Sequence, residues 1–309
     1  MFRLRLAFAG RVTPHLYLVK LVFNEDSHVP RPIASMLIHC SYDIAYTLNA
    51  PTVFVLALRM RPELDFRLRS PERFTVTPNA PRETFLDGFG NRCMRLTAPA
   101  GRLELNGDVL VEDCGWPAPV IANAWEHGAA ELPPNVLPFL LPSRYCEVDL
   151  LGPMAWKLFG GSLPGWSRVQ AICDWVHTYL RFDYGFASAT RTAVQTCEQR
   201  VGVCRDFTHL AMTFCRCLNI PARYISGYLG DIGVPPDPAP MDFSACMEVY
   251  LGGAWHTFDV RHNARRIGYL PMAHGRDAAD VAFTTSFGPH QLSRFIVRTY
   301  EVPSAAAVA

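Results

Sequence analysis

The hydrophobic period is two residues over 36–115 and 3.6 residues over much of 166–218, and this switch constrains the fold more than any other feature. In LIHCSYDIAYTL, Ile38, Cys40, Tyr42, Ile44 and Tyr46 alternate with His39, Ser41, Asp43, Ala45 and Thr47, the pattern of a half-buried strand. TVFVLALRM reads as a more buried strand, and RETFLDGFGNRCMRLTAP as a hairpin around Asp87-Gly88. GRLELNGDVLVED puts Asn106-Gly107 where a tight turn is expected. No helix-period segment interrupts 36–115, so an all-β, sandwich-like domain is predicted there.

Prolines punctuate 116–143 and neither period persists, which marks a connection between domains. In WSRVQAICDWVHTYLRF, Val169, Ile172, Cys173, Val176 and Leu180 form one helical stripe. Thr190 or Thr192 can cap a short helix through AVQTCEQR. A further helix starts near Cys204, carries Phe207, Leu210, Ala211, Phe214 and Leu218 on one face, and ends at Asn219-Ile220-Pro221. The strand ARYISGYL, a proline-rich loop and a hairpin about Gly252-Gly253 come next. Helices followed by antiparallel strands give an α+β class, with the second domain at 144–300 and a tail at 301–309. Residues 1–35 share no period with the β domain and are expected to be an extension outside the fold.

The net charge is +1 and Lys and Arg never form a run, which argues against nucleic acid and against an anionic membrane surface. No segment is long and apolar enough to span a membrane. The ten cysteines include no C-x-x-C pair, so neither a metal site nor a disulfide framework is expected. Most sit among apolar neighbours, as free thiols in a reducing cytoplasm would.

Cys204 differs by its place in the first turn of a helix, just after Gly202. Free N–H groups and the positive end of the helix dipole are expected there to lower the thiol pKa and to hold an oxyanion. The runs GVCRDFTHLA, LNIPARYISGYL and MEVYLGGAWHTFD, behind a β domain, resemble the bacterial transglutaminase-like superfamily, which includes candidate cysteine proteases. The resemblance covers nearly all of 36–300. It implies a papain-like core of helices packed on an antiparallel sheet, with Cys204 as nucleophile and Asp259 as the residue that orients the base. The family histidine stands in an H-A-W-x-E-V-Y setting. Here Ser244 takes its position, and Cys246 takes that of the tryptophan.

A serine hydroxyl cannot act as a base near neutral pH. With Gly252-Gly253 as a two-residue loop, Leu251 opposes Ala254, Cys246 opposes Asp259 and Ser244 opposes Arg261. Ser244, Cys246, Asp259 and Arg261 then share one face, with Ser244 and Asp259 as diagonal neighbours. His256 points to the other face, and His209 lies about 140° around the helix from Cys204. His262 would face away in a continuing strand, but a chain that folds back near Arg261 could carry it over the site. His262 is therefore the candidate base. Arg205 and Asp206 are expected to cap and pair locally, and Glu248 and Asp242 to be edge or loop charges.

Two functions are compatible with this pattern. One is a cysteine hydrolase or acyltransferase acting on a peptide or protein amide through a Cys204 thioester, with no cofactor and no metal. The other is a catalytically silent peptide-binding module of the same fold, for which Ser244 speaks.

Overall fold

The alternation in MLIHCSYDIAYTL becomes one thirteen-residue strand, β1 (Met36–Leu48), with Ile38, Cys40, Tyr42, Ile44 and Tyr46 all buried. The computed structural model describes residues 35–303; the expected extension, apart from Ser35, and the tail from residue 304 lie outside the described residues. After β1 come β2 (Thr52–Leu56), β3 (Arg73–Thr77), β4 (Arg82–Leu86), β5 (Arg92–Ala98) and β6 (Gly101–Asp113). The expected hairpin at Asp87-Gly88 is present, with Leu86 opposite Arg92. Asp87 shapes it by accepting the backbone N–H groups of Phe89 and Asn91 at 2.8 and 2.9 Å.

The expected turn at Asn106-Gly107 is absent. β6 runs straight through, pairing Asn106 with Asp43 and Gly107 with Tyr42. Gly107 is there for space, because a Cβ at this position would lie 2.2 Å from the buried Tyr42 ring. A glycine beside Asn looks like hairpin chemistry in the sequence, yet here it makes room for a cross-strand aromatic.

The domain boundary also differs from expectation. β13 (Thr284–Phe287) pairs with β2, and β14 (His290–Val302) pairs with β1 along almost its whole length. The last strands expected in the second domain therefore complete the first, and the expected tail begins inside β14. The result is a sandwich of sheets ordered β14-β1-β6-β3 and β13-β2-β5-β4. Ile38, Ile44, Leu103 and Leu105 from one sheet meet Phe54, Leu56 and Leu96 from the other in a single core. β14 covers an edge that β1 would otherwise expose.

The second lobe has α1 (Val148–Phe159), α2 (Trp166–Tyr179), α3 (Ala193–Gln199) and α4 (Cys204–Cys217), with the two-residue strands β7 (Arg181–Phe182) and β8 (Val201–Gly202) paired in parallel. Its sheet, ordered β11-β10-β9-β12, uses β9 (Ala222–Tyr228), β10 (Ser244–Leu251), β11 (Ala254–Phe258) and β12 (Leu270–Gly275). Thr192, one of the two expected caps, accepts from the Gln195 backbone while the Gln195 side chain returns to the Thr192 N–H. α4 is the central helix, packed between α1, α2, α3 and the face of β9 and β10, and all its residues from Asp206 to Cys217 are buried.

The fold is thus α+β with two cores, as expected, but the two cores lie in one compact unit. Asn91, fully buried, joins the lobes: its amide donates to the His274 carbonyl at 2.8 Å and accepts the His274 N–H at 2.9 Å. Among the described residues, no helix is long and apolar enough to cross a membrane. If Gly107 is a packing residue, Gly107→Ala should lower stability by about 1–3 kcal/mol through overpacking against Tyr42. A urea midpoint unchanged from wild type would contradict that assignment.

Candidate active site

The N-terminal end of α4 is built around Asp206, whose side chain has no exposed surface. Its Oδ2 accepts from the Val203 N–H at 2.9 Å and from Arg191 Nη1 at 3.1 Å. Arg205 lies 3.6 Å from the other oxygen. Asp206 thus satisfies a helix-end donor and pairs locally, as expected for it and Arg205. Gly202 leaves the carboxylate its room, since a Cβ there would come within 2.5 Å of Oδ2. Val203 is extended, and the helix opens on Cys204.

Cys204 is half-buried. Thr208 ties its turn to the sheet by donating to the Cys204 carbonyl at 2.9 Å and the Ala245 carbonyl at 3.3 Å. The expected lowering of the thiol pKa is reversed. Burial pushes the Cys204 thiol up to about 11, and the charge of Asp242 adds to this. The backbone N–H groups of Ala245 and Arg205 and the Arg261 guanidinium pull the other way without overcoming it. Desolvation of a thiolate at this depth outweighs the helix terminus.

The β10–β11 hairpin has the expected register, from Leu251 opposite Ala254 to Met247 opposite Phe258. The ladder stops at Phe258, three residues before the fold-back considered from the sequence. The chain then turns, and the Asn263 N–H closes the turn on the Asp259 carbonyl at 2.9 Å. Asn263 takes a left-handed φ of 48°. Its side chain is anchored on α2, by Gln170 at 3.0 Å and Asp174 at 2.8 Å.

The turn brings His262 back onto Asp259. Asp259 Oδ1 accepts the His262 backbone N–H at 3.0 Å, and the His262 Nδ1 lies 2.6 Å from Oδ2. A carboxylate accepts, so Nδ1 is the donor in this pair, and in a neutral imidazole Nε2 is then the acceptor. His262 and Cys204 line the same cavity, of about 80 Å³. The three candidate residues are therefore arranged with His262 and Cys204 on the cavity wall and Asp259 behind the imidazole.

Ser244 lines this cavity too, while its carbonyl accepts from the Tyr269 hydroxyl at 3.1 Å. Arg261 no longer opposes Ser244 across a ladder; it stacks over Phe182 with its guanidinium carbon 3.8 Å from the ring centroid. His209 stacks on Tyr145 and accepts the Ala278 N–H at 3.1 Å, and burial drives its pKa well down. His256 packs on Trp166. Glu248 is bound by Arg223 at 2.6 Å. The proline-rich loop forms one rim of the cavity, held where Arg266 meets Asp231 at 3.2 Å and Arg261 meets Asp237 at 3.5 Å. Thr208, Arg261 and Arg266 were missed as site residues, because only the tertiary contacts of the turn and of β10 give them a role.

Residues 154–260 match the family model for the core of the transglutaminase-like superfamily. The structure also superposes on that of a candidate cysteine protease from Cytophaga hutchinsonii, with a TM-score of 0.76, 31% identity, and coverage of 87% of this chain and 92% of that one. This chain belongs to the transglutaminase-like superfamily. An uncharacterized protein of Mycobacterium leprae is 28% identical over 148 residues, 46% of this chain and 52% of the relative. One from Mycobacterium tuberculosis is 28% identical over 180 residues, 54% of this chain and 55% of the relative. The chain thus spans about half the length of these curated relatives.

Removing the Asp206 carboxylate should leave the buried Arg191 guanidinium without its counter-charge and free the Val203 N–H. Asp206→Ala is expected to cost about 3–5 kcal/mol in a urea titration, the usual result of breaking a buried pair. A loss under about 1 kcal/mol would mean that Asp206 does not hold the helix start.

Proposed function

We propose that this superfamily member is a cysteine hydrolase or acyltransferase acting on an amide of a peptide or protein. The observation that carries the reading is the Asp259–His262 hydrogen bond of 2.6 Å, with the imidazole on the wall of the Cys204 cavity. A thiol titrating at about 11 is ionised to only about one part in ten thousand at pH 7, so the sulfur needs a base. His262 Nε2 takes the thiol proton as Sγ attacks the carbonyl carbon. The Ala245 and Arg205 N–H groups stabilise the oxyanion. The C–N bond then breaks, the imidazolium returns the proton to the leaving amine, and a thioester remains on Cys204. Water resolves it to the acid, or a second amine to a new amide. Asp259 holds the Nδ1–H tautomer throughout. All ten cysteines are free, which fits a reducing compartment such as the cytoplasm.

Ser244 supports a second reading. If the loss of the family histidine has silenced the site, the same cleft is a peptide-binding module and His262 is a structural residue.

Alkylation of Cys204 by iodoacetamide against pH separates the two. If His262 serves the sulfur, wild type should react at pH 7, and His262→Ala should react appreciably only as pH climbs toward 11. If both proteins follow the same high-pH curve, the base assignment fails. With an activated amide or ester, His262→Ala should lower the rate by about 10²–10⁴ and Cys204→Ala should remove it, while Ser244→His gives no gain. A rise in rate for Ser244→His would show that the base position at Ser244 was vacant.

A further inference from the structure

A second, much larger cavity of about 500 Å³ lies against the other side of the Asp259–Arg266 turn. Asp259 and Asn263 line it, whereas His262 and Cys204 line only the smaller one, and Arg266 borders both. Its floor is the face of the second-lobe sheet turned away from α4. Cys246, Glu248 and Thr257 lie there, opposite in sense to Ala245, Met247 and Val249, which enter the helical core. The volume is that of a small-molecule site.

We infer that this cavity binds a small planar acid, an aryl carboxylate. The apolar part of the argument rests on four aromatic side chains in its wall, Trp116, Trp166, Phe258 and Tyr269. Trp116 is 69% exposed, a large indole without a packing partner over most of its surface. The sign of the ligand is set by which charges in the wall are already matched. Arg67 is paired with Asp113, Glu248 with Arg223, and Asp259 with His262. Arg265 and one nitrogen of Arg266 are left over. Arg265 hydrogen-bonds only the Ala118 carbonyl, at 3.1 Å, and forms no ion pair among the described residues. Arg266 is ion-paired with Asp231 through Nη2 at 3.2 Å, but its side chain is only 7% exposed and its Nε is buried with no partner among the described residues. Both are cationic donors, and neither Asp259 nor Glu248 offers a free carboxylate to a cation. A ligand that stacks on the aromatic wall and presents a carboxylate to Arg265 and Arg266 answers both features.

The site stands whether or not Cys204 is a working nucleophile, and its test uses no turnover. Isothermal titration of the full chain with indole-3-acetate should give saturable, sub-millimolar binding, with neutral 3-methylindole about tenfold weaker. Arg265→Gln should erase most of that preference. Cys246→Trp, which puts an indole into the floor, should weaken indole-3-acetate at least about tenfold. Ala118→Trp does the same from the exposed opposite wall, so the test survives if the buried variant does not fold. Absence of saturable binding, or undiminished binding in the folded tryptophan variants, would overturn the site. Equal affinity for the acid and its neutral analogue would overturn the ligand class.

Discussion

A carboxylate with no exposed surface is tolerable only where donors and a counter-charge meet it, and Asp206 meets both. That requirement organises the reactive end of the second lobe. Arg191, which supplies the charge, is itself fixed by the Phe186 carbonyl at 2.6 Å and by Gln199 at 3.0 Å, so the segment before α3 and the end of α3 itself are drawn to the start of α4. Gly202 has to be small because the carboxylate occupies the space beside it. Thr208 then adds the link from the first turn to β10. Cys204 joins these contacts only through its carbonyl, which accepts from Thr208, and its side chain lines a cavity.

That same burial creates a chemical difficulty. A helix start favours a thiolate by a modest amount, typically under about 2 kcal/mol even when partly buried. Desolvation of the sulfur acts in the opposite direction and prevails, leaving the thiol raised to about 11. The sequence argument from the helix terminus gives the wrong direction of shift for Cys204, because the depth of a side chain is a tertiary property. A thiol in this state could act as a nucleophile only with a neighbouring proton acceptor, which is why the base position matters most at the site.

Much of the architecture was legible where one period persisted and one residue fixed its end. β1, α2, α4 and the β10–β11 register all belong to this class, and Asn219 and Gly252-Gly253 ended or joined them through left-handed backbone. α1 was missed, since Gly152 and Pro153 interrupt its apolar pattern. The return of β14 to β1 was missed because pairing across some 250 residues leaves no trace in local periodicity. Asn106-Gly107 misled for a different reason: the glycine answers to Tyr42 on another strand. In the candidate site, the motifs single out Cys204 and Asp259, and the helix start at Cys204 was legible from its period. The placement of His262 hinged on where β11 ends, which is set by Asn263 and its partners on α2.

The turn also bears on how a histidine at this position could replace one on β10. A base carried on the adjacent strand is oriented across a ladder, with acid and base held by separate segments. Asp259 and His262 are three residues apart, and one carboxylate binds both the backbone and the ring of the same residue. The imidazole therefore loses little further freedom on being aligned, because the turn that carries it is closed by the Asp259 carbonyl and tied to Gln170 and Asp174. The geometry has a cost in independence: the dyad can be no more rigid than the turn. One side of that turn borders the Cys204 cavity and the other borders the larger, aromatic-walled cavity, with Asp259 as part of its lining. Asp259 and Asn263 line the larger cavity and His262 the smaller, so one short segment forms part of both walls.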